Sequence, residues 1–504
     1  MRSFTGGSCL IAAALLGACG NDGAGGSPAA LVPEDSAVYG VATLDPQGDS
    51  ESAVRDIAAR FPGGDELDAQ IEKGLAKTFR EDGLDYAEDV KPWLGDEVVF
   101  FVSNIREDDA DAAAVLQTTD EDAARKAFEK AGAGKAKERS YEGSDYLLED
   151  ETAYGVVEGH AVVGTERGFK ATVDTAADGK SIEDAERVEE AFDRLPDDTL
   201  ASVYFDGRKL LGSLGPEGAL IAPFIEIFDE PYVLGLSAES DAVVLDSTLP
   251  AQVGGLATPL FFGSGTDAVP ELPADSFYAA GQPELGKSIQ SIVRLLAGAA
   301  GGEQQLEQQV QAATGLDLSD DILGWMGDLG AFARGTSVDE LGAGAVIETK
   351  DPAVSRRTIE ALGRLARREA DPGTRIGPLT LPGGGDGFTL HAPELPAPVH
   401  VVQRGERVAI ALGGQAAEEL LEPRDTLADD PGFSDAAERL GEGFEVSNYV
   451  DLAPIFELAE SEGADSDAGY REAKAYLKPF ARVVAGTKEE DDDVLLSRTR
   501  VEFR

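Results

Sequence analysis

Short apolar runs bounded by turn-forming residues alternate along this chain with stretches whose apolar positions recur at helical spacing. The short runs predict strands at Ala37–Thr43, Glu97–Ser103, Ala112–Gln117, Ala153–Val157, His160–Gly164 and Leu200–Phe205. The helical spacing predicts helices at Ser50–Arg60, Glu66–Phe79, Glu121–Ala131 and Ile182–Arg194, with Asp or Ser at several starts. Tight turns such as Val157-Glu158-Gly159-His160 leave no room for a crossover, so the neighbouring strands must pair antiparallel. Two more hairpins are expected, Tyr232–Leu236 with Ala242–Ser247 and Arg482–Gly486 with Val494–Thr499. The expected fold class is α+β, a mainly antiparallel sheet with packed helices.

The same pattern occurs twice. Pro33-Glu34-Asp35-Ser36 and Tyr39 correspond to Pro273-Ala274-Asp275-Ser276 and Tyr278. The only two tryptophans stand in one shared pattern, W-x-G-D-x-x-x-F. It reads Trp93, Gly95, Asp96 and Phe100 in the first copy, and Trp325, Gly327, Asp328 and Phe332 in the second. Ala114, Asp120, Arg125, Glu129 and Gly132 match Ala345, Asp351, Arg356, Glu360 and Gly363 at constant spacing. Tyr204-Phe205-Asp206 matches Tyr449-Val450-Asp451. Such matches predict two tandem homologous halves, 32–250 and 272–504, joined by a Gly/Pro-bearing linker at 251–271.

The first residues have a different character. Met1-Arg2, the apolar run Leu10–Leu16 and then Gly17-Ala18-Cys19 form a secretory signal followed by a lipobox. The run is too short to span a bilayer, which takes about 20 residues. The expectation is a signal peptide at 1–18, diacylation of Cys19 and an extracytoplasmic body held to the membrane through that lipid, since two chains anchor stably where one does not. The stretch 19–31, rich in Gly, Ser and Ala, is expected to be a flexible tether. Cys9 precedes the apolar run, so Cys19 is the only cysteine after cleavage and no disulfide is available to the fold.

Charge narrows the partners. Against 43 basic residues stand 95 acidic ones, a formal net charge of −52. Such a surface repels nucleic acid and anionic headgroups, which leaves lipid on Cys19 as the membrane contact. The acids are spread along the whole chain, as on a solubilising surface. Asp465-Ser466-Asp467-Ala468-Gly469 begins like a calcium loop, but Tyr476 stands where a bidentate Glu is needed.

The opening Pro33-Glu34-Asp35-Ser36 with Tyr39, the block Pro92-Trp93-Leu94-Gly95-Asp96 and Leu195-Pro196-Asp197-Asp198 resemble a bacterial family catalogued as a domain of unknown function, number 3352. The resemblance covers most of the mature chain. It implies an extracytoplasmic protein and brings no activity and no functional residues.

The candidate chemistry is sparse. Gly281-Gln282-Pro283-Glu284-Leu285-Gly286-Lys287-Ser288 matches the P-loop string and sits between a strand and a helix. Glu284 would place a carboxylate beside the phosphates, and the corresponding 44–50 loop has no lysine, so the match is read as chance and no nucleotide is expected. Asp96 and Asp328 could act as an acid pair across a pseudo-twofold axis, but the Asp-Thr/Ser-Gly signature of two-lobed aspartic proteases is absent. The alternative is structural: Trp fills the core, Gly makes the turn and Asp binds backbone amides. His160, His391 and His400 show no metal-ligand spacing, and Glu406 is taken as the counterpart of His160. Gly383–Gly387 reads as a turn, and Leu220–Phe228 as a core helix or a partner-binding patch. The sequence therefore points to a non-enzymatic envelope lipoprotein with a protein partner and no cofactor or metal. A solute-binding lipoprotein with a cleft between the halves and a carboxylate-dependent hydrolase are the alternatives.

Overall fold

The protein, as a computed structural model, is described over residues 26–81, 83–106, 109–212, 230–250, 265–300, 302–491 and 494–504. It divides into two compact units, Met1–Thr248 and Leu249–Arg504.

In the first unit the strands are β1 (Val38–Thr43), β2 (Leu94–Arg106), β3 (Asp109–Thr118), β4 (Lys137–Tyr141), β5 (Ser144–Glu149), β6 (Thr152–Val157), β7 (His160–Thr165), β8 (Ala201–Phe205), β9 (Tyr232–Glu239) and β10 (Ala242–Pro250). Their spatial order is β10-β9-β8-β1-β2-β3-β7-β6-β5-β4, antiparallel throughout. The central strands are buried on both faces. Val98, Ala114 and Val163 meet Phe79 and Phe128 from the helices Leu67–Glu81 and Glu121–Ala131. Val99, Ala113 and Val162 meet Phe169, Val173 and Val188 from the helices Glu166–Asp178 and Glu186–Phe192. Burial on both sides is why these strands read as continuous apolar runs rather than alternating ones.

The second unit holds β11 (Ser276–Gln282), β12 (Met326–Arg334), β13 (Gly342–Thr349), β14 (Arg375–Thr380), β15 (Asp386–His391), β16 (Val399–Arg404), β17 (Arg407–Leu412), β18 (Glu445–Asp451), β19 (Phe480–Asp491) and β20 (Val494–Phe503). Its spatial order is β20-β19-β18-β11-β12-β13-β17-β16-β15-β14, again antiparallel. Val346 and Ala409 face Leu420 of the helix Gly414–Leu421, while Ile347 and Val408 face Trp325 and Ile359 of the helix Pro352–Glu369. Each unit is thus an α+β sandwich of helix, sheet and helix.

The phenylalanine of the shared W-x-G-D-x-x-x-F pattern lies on a central strand between two small residues. Phe100 pairs with Gly40 and Ala114, and Phe332 with Ala279 and Gly344. A Cβ on Gly40 would stand 2.1 Å from Phe100 Cε1, so the ring occupies the space above the glycine.

Several elements differ from expectation. The helix expected over Ile182–Arg194 is a 3-10 turn, Ile182–Asp184, followed by Glu186–Phe192. Ile182 is buried and its amide donates to Val32 O (2.8 Å), which pins the turn and leaves Ala185 extended. The helix Glu166–Asp178 was not anticipated, although Phe169, Val173 and Ala176 repeat at helical spacing behind the cap Thr165. Strands β4 and β5 are not among the expected strands; Lys137 to Ser140 of β4 face solvent and carry no apolar signal. The end of the expected tether is packed. Ser27 caps the 3-10 turn Pro28–Leu31, and Ala29, Leu31 and Val32 lie in the core. Composition counts Ala29 and Ala30 as small rather than as apolar. Of the expected linker, 251–264 lies outside the described residues, and Val269 is fully buried in the second core.

The outer edges are blunted differently. On β4 Lys137, Glu138 and Arg139 face solvent, and β14 carries Pro378, which has no amide to donate.

Gly40→Ala is expected to destabilise the protein by roughly 1–3 kcal/mol, since the Phe100 ring must shift within a packed face. Chemical denaturation of wild type and variant measures it.

Candidate functional site

Each tryptophan sits at the end of an acid-capped turn. In the first unit Asp85 Oδ1 accepts from the Ala87 and Glu88 amides (3.0 and 3.1 Å), opening the π-helical turn Tyr86–Val90. Asp89 Oδ2 returns by accepting from the Asp85 amide (2.7 Å) and pairs with Lys130. Lys130 and that backbone amide hold the Asp89 carboxyl below the usual range. Trp93 follows, 4 % exposed, its Nε1 donating to Asp89 O at 2.6 Å. A Cβ on Gly95 would stand 2.9 Å from Gln117 Cβ, and the Asp96 amide donates to Gln117 Oε1 (3.1 Å).

The second unit repeats the turn with changed details. Asp317 Oδ1 accepts from the Asp320 amide (2.9 Å) at the start of the π-helical turn Leu318–Leu323, and Asp321 Oδ2 accepts from the Asp317 amide (3.1 Å). Trp325 is equally buried at 4 %, but its Nε1 has no hydrogen-bond partner among the described residues. A Cβ on Gly327 would stand 2.8 Å from Glu348 O. Asp328 ties two segments together: Oδ2 accepts from Thr266 Oγ1 (2.9 Å) and Oδ1 from the Glu284 amide (3.0 Å).

That bond places Asp328 against the P-loop-like string. Glu284 has a positive φ of 49° and its amide is engaged by Asp328. Its carboxylate pairs with Lys287 (2.9 Å) and Lys350 (2.5 Å), which hold it below the usual range, Lys350 foremost. Lys287, the lysine of the string, therefore neutralises a residue of its own loop. Asp96 and Asp328 lie in different units, each held within its own. Cys19 and the Leu220–Phe228 patch lie outside the described residues.

A cleft of about 750 Å³ opens at one end of the second sheet, where β11 and β13 begin and β12 and β18 end. Arg334 lines it, paired with Asp275 (3.0 Å) and Glu419 (2.7 Å) and lying over the Phe332 ring. Asp430 Oδ1 caps the helix Pro431–Arg439 (Phe433 N, 2.8 Å), and Asp451 Oδ1 caps Leu452–Ser461 (Ala453 N, 3.0 Å). Burial pushes the Tyr449 phenol up to about 12, with Asp451 adding to it, so the hydroxyl stays neutral. The lining is polar, carries no histidine or cysteine, and engages most of its charges internally. No sequence reading singled out Arg334, because its partners are distant in the chain. At the matching end of the first sheet Arg106 holds Asp111 through two bonds (2.8 and 3.1 Å), with Asn104 adding a third (3.0 Å).

His160 is 3 % exposed and contacts two carbonyls, Nδ1 with Glu158 O (3.0 Å) and Nε2 with Gly26 O (2.8 Å). Its counterpart is Arg407 rather than Glu406. The hairpin registers settle this, with Val157 opposite His160 and Arg404 opposite Arg407. Burial, then His391, lowers the His400 pKa. Among the described residues no group of three or more His, Cys, Asp or Glu is placed to hold a metal ion, and no helix is long and apolar enough to cross a membrane.

Antiparallel sheets clad by helices on both faces, with acid-capped tryptophan turns, define an α+β protein without a recognisable catalytic set among the described residues. The chain belongs to the family described as "Protein of unknown function (DUF3352)", which it matches over residues 6–479. Among solved structures it is similar to TP0453. Crystal form I shares 9 % identity over 45 % of this chain and 79 % of that one, at a TM-score of 0.26. Form III shares 11 % identity over 47 % and 84 %, also at 0.26. Likeness at this level bears on neither fold nor function. No curated protein matches the sequence.

Two outcomes follow from these geometries. Trp93→Phe is expected to cost about 1 kcal/mol more than Trp325→Phe, since only the first loses a hydrogen bond and strands a carbonyl; paired denaturation curves measure it. Arg106 depresses the Asp111 carboxyl, so this pair stabilises above the unfolded Asp value of about 4 and is lost as pH falls below it. The stability gap between wild type and Arg106→Gln, followed by thermal melts across pH, should close on acidification.

Proposed function

We propose that this chain is an extracytoplasmic lipoprotein, lipidated at Cys19, built from two homologous halves and acting by binding a partner in the cell envelope rather than by catalysis. The observation that carries the reading is the lipobox Leu16-Gly17-Ala18-Cys19 directly behind a signal-length apolar run. The boundaries are a signal peptide at 1–18, a tether from 19, and halves at 32–250 and 272–504 around the 251–271 link.

The duplication is supported by the identical strand order of the two units and by shared small devices. Ser36 Oγ donates to Pro33 O (2.8 Å) and Ser276 Oγ to Pro273 O (2.6 Å). Pro33 bridges Ser181 and Pro273 bridges Thr426, both antiparallel. An acid-capped π-helical turn precedes each tryptophan. The high negative charge supports lipid rather than a protein face as the membrane contact, and it disfavours nucleic acid. Nucleotide binding is disfavoured by the pairing of Lys287 with Glu284.

A solute-binding lipoprotein is the second reading. The cleft at Arg334, which lies within the second unit rather than at the place between the halves that the sequence suggests, favours it, being of a size that suits a small molecule.

Cys19→Ser is expected to move the protein from the membrane fraction to the soluble one while leaving its fold unchanged. Retention in the membrane would refute the anchor. A small-molecule ligand of the cleft would raise Tm in a thermal-shift screen, and Arg334→Ala would abolish that rise.

A further inference from the structure

We propose that His160 in its charged form clasps the leading segment 26–32 onto the first unit, so that the protonation of one imidazole sets how firmly that segment is seated.

The geometry carries this. Both ring nitrogens of a buried histidine face carbonyl oxygens, Nδ1 that of Glu158 (3.0 Å) and Nε2 that of Gly26 (2.8 Å). A carbonyl only accepts, and a neutral imidazole carries one N–H. Both bonds are therefore made together only by the imidazolium. Removing the proton sets a nitrogen lone pair against one of the two carbonyls. The Glu158 contact lies within the ring's own hairpin turn, whereas the Gly26 contact spans 134 positions of the chain. The distant one is the easier to lose, since its segment can move away.

The charged side chains near the ring are carboxylates. Glu97 on β2 interacts electrostatically with His160, and Glu183, on the turn Ile182–Asp184, acts on Glu97. Glu121 opens the helix Glu121–Ala131, and its Oε1 would lie 3.3 Å from a Cβ on Gly159. On the adjacent β3 the facing group is uncharged, Thr118 Oγ1, which accepts from the Ala161 amide. The segment 26–32 carries no charged side chain.

The second unit supplies an independent parallel. At the register position of His160 stands Arg407, the first residue of β17. Its guanidinium pairs with Glu271, in the segment that leads into the second unit, and donates to Leu420 O (3.3 Å). Both units thus fasten their leading segment with a nitrogen-bearing side chain at the start of the corresponding strand, β7 or β17. An arginine keeps its charge at every physiological pH, while a histidine does not. The fastening of the second unit is permanent and that of the first is conditional. This holds whether or not Cys19 carries lipid.

Hydrogen exchange read by mass spectrometry on the full chain tests it. Protection of the amides between residues 27 and 33 is followed from about pH 5.5 to about pH 8.5, after correction for the intrinsic rate. In wild type, protection should fall by about tenfold or more as pH rises, while helix 121–131 keeps its protection. His160→Gln should give weak protection at every pH, and His160→Arg, which installs the residue of the second unit, strong protection at every pH. A pH-independent wild type, or a His160→Gln variant that keeps the wild-type profile, overturns the proposal. The wild-type and glutamine profiles decide the matter even if the larger arginine fails to fold, and a Cys19→Ser background leaves the test intact.

Discussion

Val98 and Val99 are consecutive on β2, yet one packs under Phe128 and the other under Phe169. An antiparallel sheet often leaves one face to water. Here both faces of the central strands lie under helices, and that double cover sets the terms for the rest of each unit. The strands must be apolar throughout, and the ring of Phe100 needs a glycine beside it. Polar side chains are pushed to the ends of the sheet, where Arg106 meets Asp111 and Arg334 meets Asp275. Loops that close the layers need local hydrogen bonds of their own, which the aspartate caps supply.

The double cover also explains what could be read from the chain. Buried strands such as Ala112–Gln117 and His160–Gly164 announced themselves through uninterrupted apolar residues, and the helix Glu121–Ala131 through its cap and spacing. The exposed strand β4 gave no such signal, since nothing in Lys137 to Ser140 seeks a core. The packed turn Pro28–Leu31 was hidden by small residues whose burial depends on partners far along the chain, Ile182 among them. Of the candidate site, the W-x-G-D pattern was legible because each copy occupies four consecutive residues where a turn runs into a strand. The role of Asp328 was not, since its partners Thr266 and Glu284 converge from separate segments. The cleft around Arg334 gathers residues from 274 to 454 and has no sequence signature.

Comparing the two units shows which parts of the architecture need a fixed chemistry. Both tryptophan turns carry capping acids, Asp85 with Asp89 and Asp317 with Asp321, because the first amides of a helical turn have no partner within it. The indole nitrogen is held less strictly: Trp93 donates to a carbonyl and Trp325 does not. The fastening of the leading segment varies most, by imidazole in one unit and guanidinium in the other. Shape is the same in both units where packing demands it, and charge differs at the periphery.

The outer strands β4 and β14 bear on how anything could attach to this body. A bare strand edge is a template that any extended peptide can join through backbone bonds alone. Three charged side chains on β4 and the imino ring of Pro378 on β14 remove that generic route at these two edges. Recognition there has to be written in side chains, so it can be selective, and two copies of the chain meeting by accident find no ladder to zip along these edges.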